Sequence, residues 1–239
     1  MPISDCTSLH IWRHDFTTAS RLAAEPEACL APDERDRAAR LRSPGGRAAF
    51  VWTRAHLRVL LGAYLGCGPL DIEFEQGSHG KPRLAGSAED RGLVFNVSHT
   101  HGAAVLAFAR DLALGVDIEA ERPHRDLERL AAACLAPAEL AVWQGLAPEI
   151  RLAAFTRLWV CKEAFVKATG RGLALGLAQV AVDPALDRYG AVPAEYGPAW
   201  DWRLKTWEAT GYRMALAYRG PERTIGFFDC AVDGPGFGL

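Results

Sequence analysis

Apolar and polar residues alternate in two rhythms along this chain, one of period two and one near 3.6, and the switches between them mark out its elements. SLHIW (8–12) reads as an opening strand. PDERDRAARL (32–41) starts on a proline and carries acids in its first turn, which predicts a short helix, and SPGGR (43–47) breaks it. RAAFVWTRAHLRVLLGAYLG predicts a longer helix that ends near Gly62 to Gly66. PLDIEFEQ alternates, with Ile72 and Phe74 on one side and Glu73 and Glu75 on the other, as in a half-exposed strand. GSHGKPRL predicts a turn that holds Lys81 between Gly80 and Pro82. LVFNVS and AAVLAFA predict strands around the THG turn, and GVDIE the next strand. Residues 126–170 are helical in pattern, and WDWRLKTW and YRMALAYRG return to strand.

One internal echo suggests how these elements are grouped. GAAVLAFAR (102–110) and GYRMALAYR (211–219) align with Gly on Gly, Val on Met and Arg on Arg. Short strands opened by glycine often look alike; the echo is also compatible with two similar α+β halves that divide near residues 112–115.

Composition narrows the functional classes. With 239 residues, 49% hydrophobic and 23% charged, the chain reads as a soluble globular protein with a sizeable core. A net charge of −2 leaves no global basic field of the kind nucleic-acid binding needs, although local basic clusters would suit a compact anion. Six cysteines, none spaced C-x-x-C, read as reduced thiols of a cytosolic protein. MPISDCTSLHIW lacks a basic segment followed by an apolar run, so no signal peptide is expected, and the apolar runs are strand-sized, too short for a membrane span.

Two stretches carry candidate chemistry. In LGVDIEAERP (114–123), Val116 and Ile118 share one strand face and Asp117 and Glu119 the other. Two strand rises put the carboxylates about 6–7 Å apart, where they repel by roughly 2–3 kcal/mol at an effective dielectric near 20. A solvated edge strand tolerates that; a buried one requires a cation or several donors between the groups. In AFTRLWVCKEAFVKATGRG (154–172), Phe155, Leu158, Trp159, Phe165 and Val166 recur at helical spacing and Gly170 fits the residue just past the helix end. Lys162 falls inside the apolar stripe and Glu163 borders it, with Lys167 four residues on. Either Lys162 snorkels outward and Glu163 pairs with Lys167 as a surface bridge, or Glu163 joins Asp117 and Glu119. Three carboxylates plus waters suit magnesium, and Lys162 and Lys167 would then flank a phosphate site.

GVDIE, followed about forty-five residues later by LWVCKEAFVKATGRGL, resembles the paired signature of the 4′-phosphopantetheinyl transferases, in particular the surfactin-synthetase-activating type, whose single chain holds two similar halves. HGKPRL and FNVSHTHG resemble that family's upstream motifs, and the four together run from about residue 32 to residue 177. The resemblance implies an α+β fold of two similar α/β subdomains, 1–112 on the coenzyme A nucleotide side and 113–239 with the magnesium ligands and catalytic helix, related by a pseudo-twofold with the active site at their interface. It implies Mg2+-dependent transfer of phosphopantetheine from coenzyme A to a serine of an acyl or peptidyl carrier protein, leaving adenosine 3′,5′-bisphosphate. The family's magnesium ligands match Asp117, Glu119 and Glu163, and its basic coenzyme-binding residues match Arg37, Lys81, Lys162 and Lys167. Pro82, Ser98 and His99 fall in its coenzyme-binding motifs. Phe50 departs from the pattern, standing where some relatives have a small polar residue that touches the nucleotide, so Arg47 or Arg54 are alternative contacts.

The reaction needs such groups on its own terms. Lysines, arginines and a histidine complement a pyrophosphate and a 3′-phosphate. The attacking serine must lose a proton, and Glu163 is the candidate general base, directly or through a water on the metal, with Asp117 and Lys167 completing the catalytic set. Ser98 and His99 are neighbours on an extended chain and point apart, which argues against a hydrolase pair. His99 and His101 have no third nitrogen or sulfur donor nearby in sequence. LAAACLAPAELAVW (130–143) offers Leu135 and its neighbours either as a carrier-docking surface or as core between two helices. The expected partners are coenzyme A and a carrier protein, with neither nucleic acid nor membrane, for a cytoplasmic monomer. A magnesium-dependent phosphohydrolase and a non-catalytic coenzyme A-binding module are the competing readings.

Overall fold

The structure is a computed structural model that describes residues 3, 6–18, 20, 22–77, 80–86, 92–183, 185–209 and 211–233. In chain order its strands are β1 (Ser8–Asp15), β2 (Phe74–Gln76), β3 (Pro82–Leu84), β4 (Leu93–Thr100), β5 (Ala103–Arg110), β6 (Leu114–Ala120), β7 (Ala181–Asp183), β8 (Arg188–Ala191), β9 (Trp202–Ala209), β10 (Tyr212–Arg219) and β11 (Thr224–Asp229). Its α-helices are α1 (Pro32–Arg40), α2 (Pro44–Leu65), α3 (Leu127–Cys134), α4 (Pro137–Gln144) and α5 (Pro148–Thr169). The fold is α+β, as expected.

The chain forms two compact units. The first takes the described residues of Met1–Gly77, Pro82–Asp111 and Arg223–Leu239, the second those of Ser78–Lys81 and Leu112–Glu222. The division therefore differs from a single cut at 112–113: the chain end returns to the first unit, and Gly80 and Lys81 go with the second. Of the GSHGKPRL turn, Ser78 and His79 lie outside the described residues.

In the first unit a four-stranded sheet is ordered β11-β1-β5-β4, with β1 and β11 parallel and the other pairs antiparallel. Leu57, Leu60 and Leu61 of α2 share a core with Trp12, Phe95, Leu106 and Phe108 of the sheet. SPGGR begins this helix rather than merely preceding it. Ser43 caps the start, its hydroxyl accepting from the Gly46 N–H at 3.3 Å, and Pro44 takes the first helical position, where a missing N–H costs nothing. PLDIEFEQ is only partly a strand. Pro69–Asp71 is a 3-10 turn closed by the Asp71 carboxylate accepting from Gly68 N–H, which leaves Phe74–Gln76 to pair with Pro82–Leu84.

In the second unit the sheet is ordered β6-β10-β9, all antiparallel, with α5 packed on it. The long helical region is three helices, because Pro137 and Pro148 each start a new one. The core gathers Trp143, Phe155, Leu158, Phe165, Tyr189 and Trp202. The echoing segments GAAVLAFAR and GYRMALAYR become β5 and β10, each an inner strand of its own sheet.

Gly115 sets how closely α5 approaches β6. A Cβ there would lie 2.0 Å from the Ala164 carbonyl oxygen and 2.3 Å from the Ala168 nitrogen, both backbone atoms of the helix. No side chain fits without moving α5 outward. Gly115→Ala is expected to lower stability by about 3 kcal/mol, the upper end for overpacking, read as a drop in the urea midpoint; an unchanged midpoint would show that the helix does not rest on this strand.

Candidate active site

Strand alternation puts Gly115, Asp117 and Glu119 on one face of β6 and the buried Leu114, Val116 and Ile118 on the other. The helix that rests on Gly115 through Ala164 and Ala168 carries Glu163 and Lys167 in the adjacent row, one residue before each alanine. The Lys167 ammonium donates to the Asp117 Oδ1 at 2.6 Å. Asp117 is only 2% exposed, so this face of β6 is not the solvated one that an edge strand would allow, even though β6 is an edge of its sheet.

Glu163 is strongly perturbed. Burial pushes its carboxyl pKa up to about 7; the negative charges of Asp117 and Glu119 push the same way, and Lys167 opposes them. Its Oε1 is buried and has no hydrogen-bond partner among the described residues. Glu119 stands opposite Arg213 on β10, and that guanidinium also forms ion pairs with Glu121 and Glu208. The carboxylates of Asp117 and Glu119 are both near enough to Glu163 to act on its charge. Among the described residues no three His, Cys, Asp or Glu side chains stand as a ready-made metal cluster. The buried, unpartnered oxygen of Glu163 beside two further carboxylates is nevertheless a donor set that a hard divalent cation fits.

Two expected phosphate-binding lysines are placed elsewhere. Lys162 is fully buried, and its ammonium is 2.6 Å from the Glu139 carboxylate, donates to the Leu177 carbonyl at 3.2 Å and also donates to the Val180 carbonyl. The reason is helical geometry: consecutive residues point about 100° apart, so Lys162 cannot share the face of Glu163 and Lys167. The expectation that it flanks a phosphate is corrected. Lys81 directs its ammonium to the carbonyls of Leu114 at 2.9 Å and Ala168 at 3.4 Å, and burial lowers its pKa to about 8. It joins the start of β6 to the end of α5 instead of projecting as a phosphate hook. Leu135, offered as a docking residue, is 2% exposed and belongs to the core, so the core alternative holds.

The remaining expected residues belong to the first unit. Arg37, Pro82 and His99 line one cavity of about 230 Å³ together with Phe50, Thr53 and Arg54. The Arg37 guanidinium lies over the Phe50 ring, 5.1 Å from its centroid. Of the two alternative arginines, Arg54 is in this cavity, its Nε 2.7 Å from the Glu34 carboxylate. Arg47 pairs with Glu27 and lines a different one. Ser98 is buried and His99 exposed, as alternation on β4 requires. Gly115, Glu139 and Thr53 were not singled out from sequence. Thr53 had a signal, since it follows Phe50 by three on the same helix; Glu139 had one too, three residues after the Ala136 that begins α4.

This cluster sits in the part of the chain that known proteins share. The family model described as the 4′-phosphopantetheinyl transferase superfamily matches residues 113–217, which include Asp117, Glu119, Glu163 and Lys167. The chain is 36% identical over 193 residues to the 4′-phosphopantetheinyl transferase HetI of Nostoc sp., covering 80% of each. The chain belongs to the 4′-phosphopantetheinyl transferase superfamily. It is also 35% identical over 180 residues to a putative 4′-phosphopantetheinyl transferase of Synechocystis sp., covering 75% of this chain and 72% of the relative. To the 4′-phosphopantetheinyl transferase Sfp of Bacillus subtilis it is 29% identical over 155 residues, covering 64% and 65%. As a member of this superfamily the chain is a transferase. No helix among the described residues is long and apolar enough to cross a membrane.

The raised pKa of Glu163 has a consequence for stability. A carboxyl that binds its proton more tightly folded than unfolded weakens the fold as pH rises from about 4.5 to about 7. In chelator, thermal midpoints of the transferase are expected to fall across that window, and Glu163→Gln to flatten the fall. A Glu163→Gln profile that still parallels the wild type would place the perturbed group elsewhere.

Proposed function

We propose that this transferase, of the surfactin-synthetase-activating type, moves the 4′-phosphopantetheine group of coenzyme A to a serine of an apo acyl or peptidyl carrier protein and releases adenosine 3′,5′-bisphosphate. The observation that carries the reading is the convergence of Asp117, Glu119, Glu163 and Lys167 from a strand and a helix within a chain of this superfamily. Asp117, Glu119 and Glu163 would hold Mg2+. When bound, it supplies Lewis-acid stabilisation of charge on the pyrophosphate.

The chain's own groups account for the rest. Glu163 is the group assigned to take the serine proton; its carboxyl pKa of about 7 belongs to the metal-free site, and the charge of a bound cation would lower it. Lys167 lies against Asp117 and can turn its ammonium to a phosphate oxygen once a cation takes up the carboxylate charge. The nucleotide end of coenzyme A is assigned to the first unit's cavity, where Arg37 and Arg54 offer guanidinium groups, His99 an imidazole and Phe50 an aromatic face. None of the six cysteines forms a disulfide, in keeping with a cytoplasmic enzyme, and the reading makes it a monomer whose partners are coenzyme A and the carrier protein.

Incubation with Mg2+, coenzyme A and an apo carrier protein is expected to add one phosphopantetheine to the carrier by mass spectrometry. Glu163→Gln is expected to lower the rate by about 10²-fold or more if this side chain is the base. Phosphate release without any carrier mass gain would favour a phosphohydrolase, and retention of coenzyme A without transfer would favour a binding module. A Glu163→Gln variant that keeps its metal affinity and its rate would assign the base to another group.

A further inference from the structure

We infer that Lys162 and Glu139 form a positioning pair that fixes the rotation of α5, and so the aim of Glu163, without touching coenzyme A. This inference rests on the proposed transferase reading and refines which residues of the signature meet the substrate.

Both side chains are buried, Lys162 completely and Glu139 at 9% exposure. Their charges are 2.6 Å apart, and among the described residues their further hydrogen bonds are to main chain. Glu139 accepts from the Ala136 N–H at 2.7 Å through one oxygen and from the Val182 N–H at 2.6 Å through the other. Lys162 donates to the carbonyls of Leu177 and Val180. One ion pair thus ties α5 to the start of α4, to β7 and to the 3-10 turn Leu177–Gln179.

The position of this hub relative to the carboxylate cluster gives it a functional meaning. Gly115 fixes how near α5 lies to β6, but a helix resting on a glycine can still turn about its axis. Lys162 is the residue next to Glu163. With its ammonium held by three partners on the side away from β6, the helix has one rotational setting, and in that setting Glu163 and Lys167 face Asp117. A few degrees of rotation would move carboxylate oxygens by a distance that matters for attack geometry. A lysine inserted in an apolar stripe would otherwise be a poor choice, because apolar side chains of similar volume fill such space without a desolvation cost.

The test replaces the pair together, Glu139→Met with Lys162→Met, so that no lone charge is left buried. The readouts are the dissociation constant of coenzyme A by calorimetry and kcat for carrier modification. We expect a folded variant that binds coenzyme A within threefold of the wild type while kcat falls at least tenfold. Weakening of coenzyme A binding beyond threefold would make Lys162 a ligand of the coenzyme and overturn the inference. An unchanged kcat with unchanged binding would overturn it too, leaving a pair that serves only the fold. Should the double variant fail to fold, Lys162→Arg keeps the charge, changes the geometry and is judged on the same two readouts. Absence of carrier modification by the wild type would instead refute the transferase reading on which the inference rests.

Discussion

With no side chain at Gly115, α5 settles directly on the backbone of β6, and that contact brings like charges together. Asp117 and Glu119 follow Gly115 on the same strand face, and Glu163 and Lys167 flank the two alanines that touch it. Burial first, and then the charges of Asp117 and Glu119, show in the high pKa of Glu163, and Lys167 is committed to Asp117. Such an arrangement is destabilising unless something positive is meant to enter. Packing and chemistry are here set by the same few residues.

The helix has two working faces. Toward β6 it offers the alanines, Glu163 and Lys167; its other residues, Phe155, Leu158, Lys162 and Phe165, enter a core shared with α3, α4, β8 and β9. A single run of sequence, CKEAFVK, therefore contains groups with opposite tasks. The lysine that looks equivalent to its neighbour five residues on is a buried anchor, whereas Lys167, 28% exposed, stands on the side of the Asp117 carboxylate. Lys81 shows the same economy, using its ammonium to join the ends of β6 and α5.

Much of this was legible in the sequence. Alternation located β4, β5, β6, β9 and β10, and proline and glycine punctuation located the helices, because these signals are local. That Asp117 and Glu119 share a strand face, and Glu163 and Lys167 a helix face, was legible because i, i+2 on a strand and the helical repeat fix faces without knowledge of partners. Lys162 was misassigned because periodicity tells which residues share a stripe but not what lies opposite: its partner Glu139 is separated from it by a helix boundary and the turn at Pro148. Leu135 was open between surface and core for the same reason. β11 went unread because TIGFFD is a partly exposed edge strand that pairs with β1, more than two hundred residues away, and carries no alternation of its own. The short strand at 74–76 fell short of its prediction because Pro69 and Asp71 impose a turn before it.

The account stands on a hard cation held jointly by the strand and the helix. Its most direct measurement is a crystal structure grown with Mn2+ and coenzyme A, with anomalous scattering used to place the metal. The account predicts one manganese peak within ligand distance, about 2.2 Å, of oxygens from Asp117, Glu119 and Glu163. A peak bound elsewhere, or bound coenzyme A with these three carboxylates carrying no metal, would contradict it.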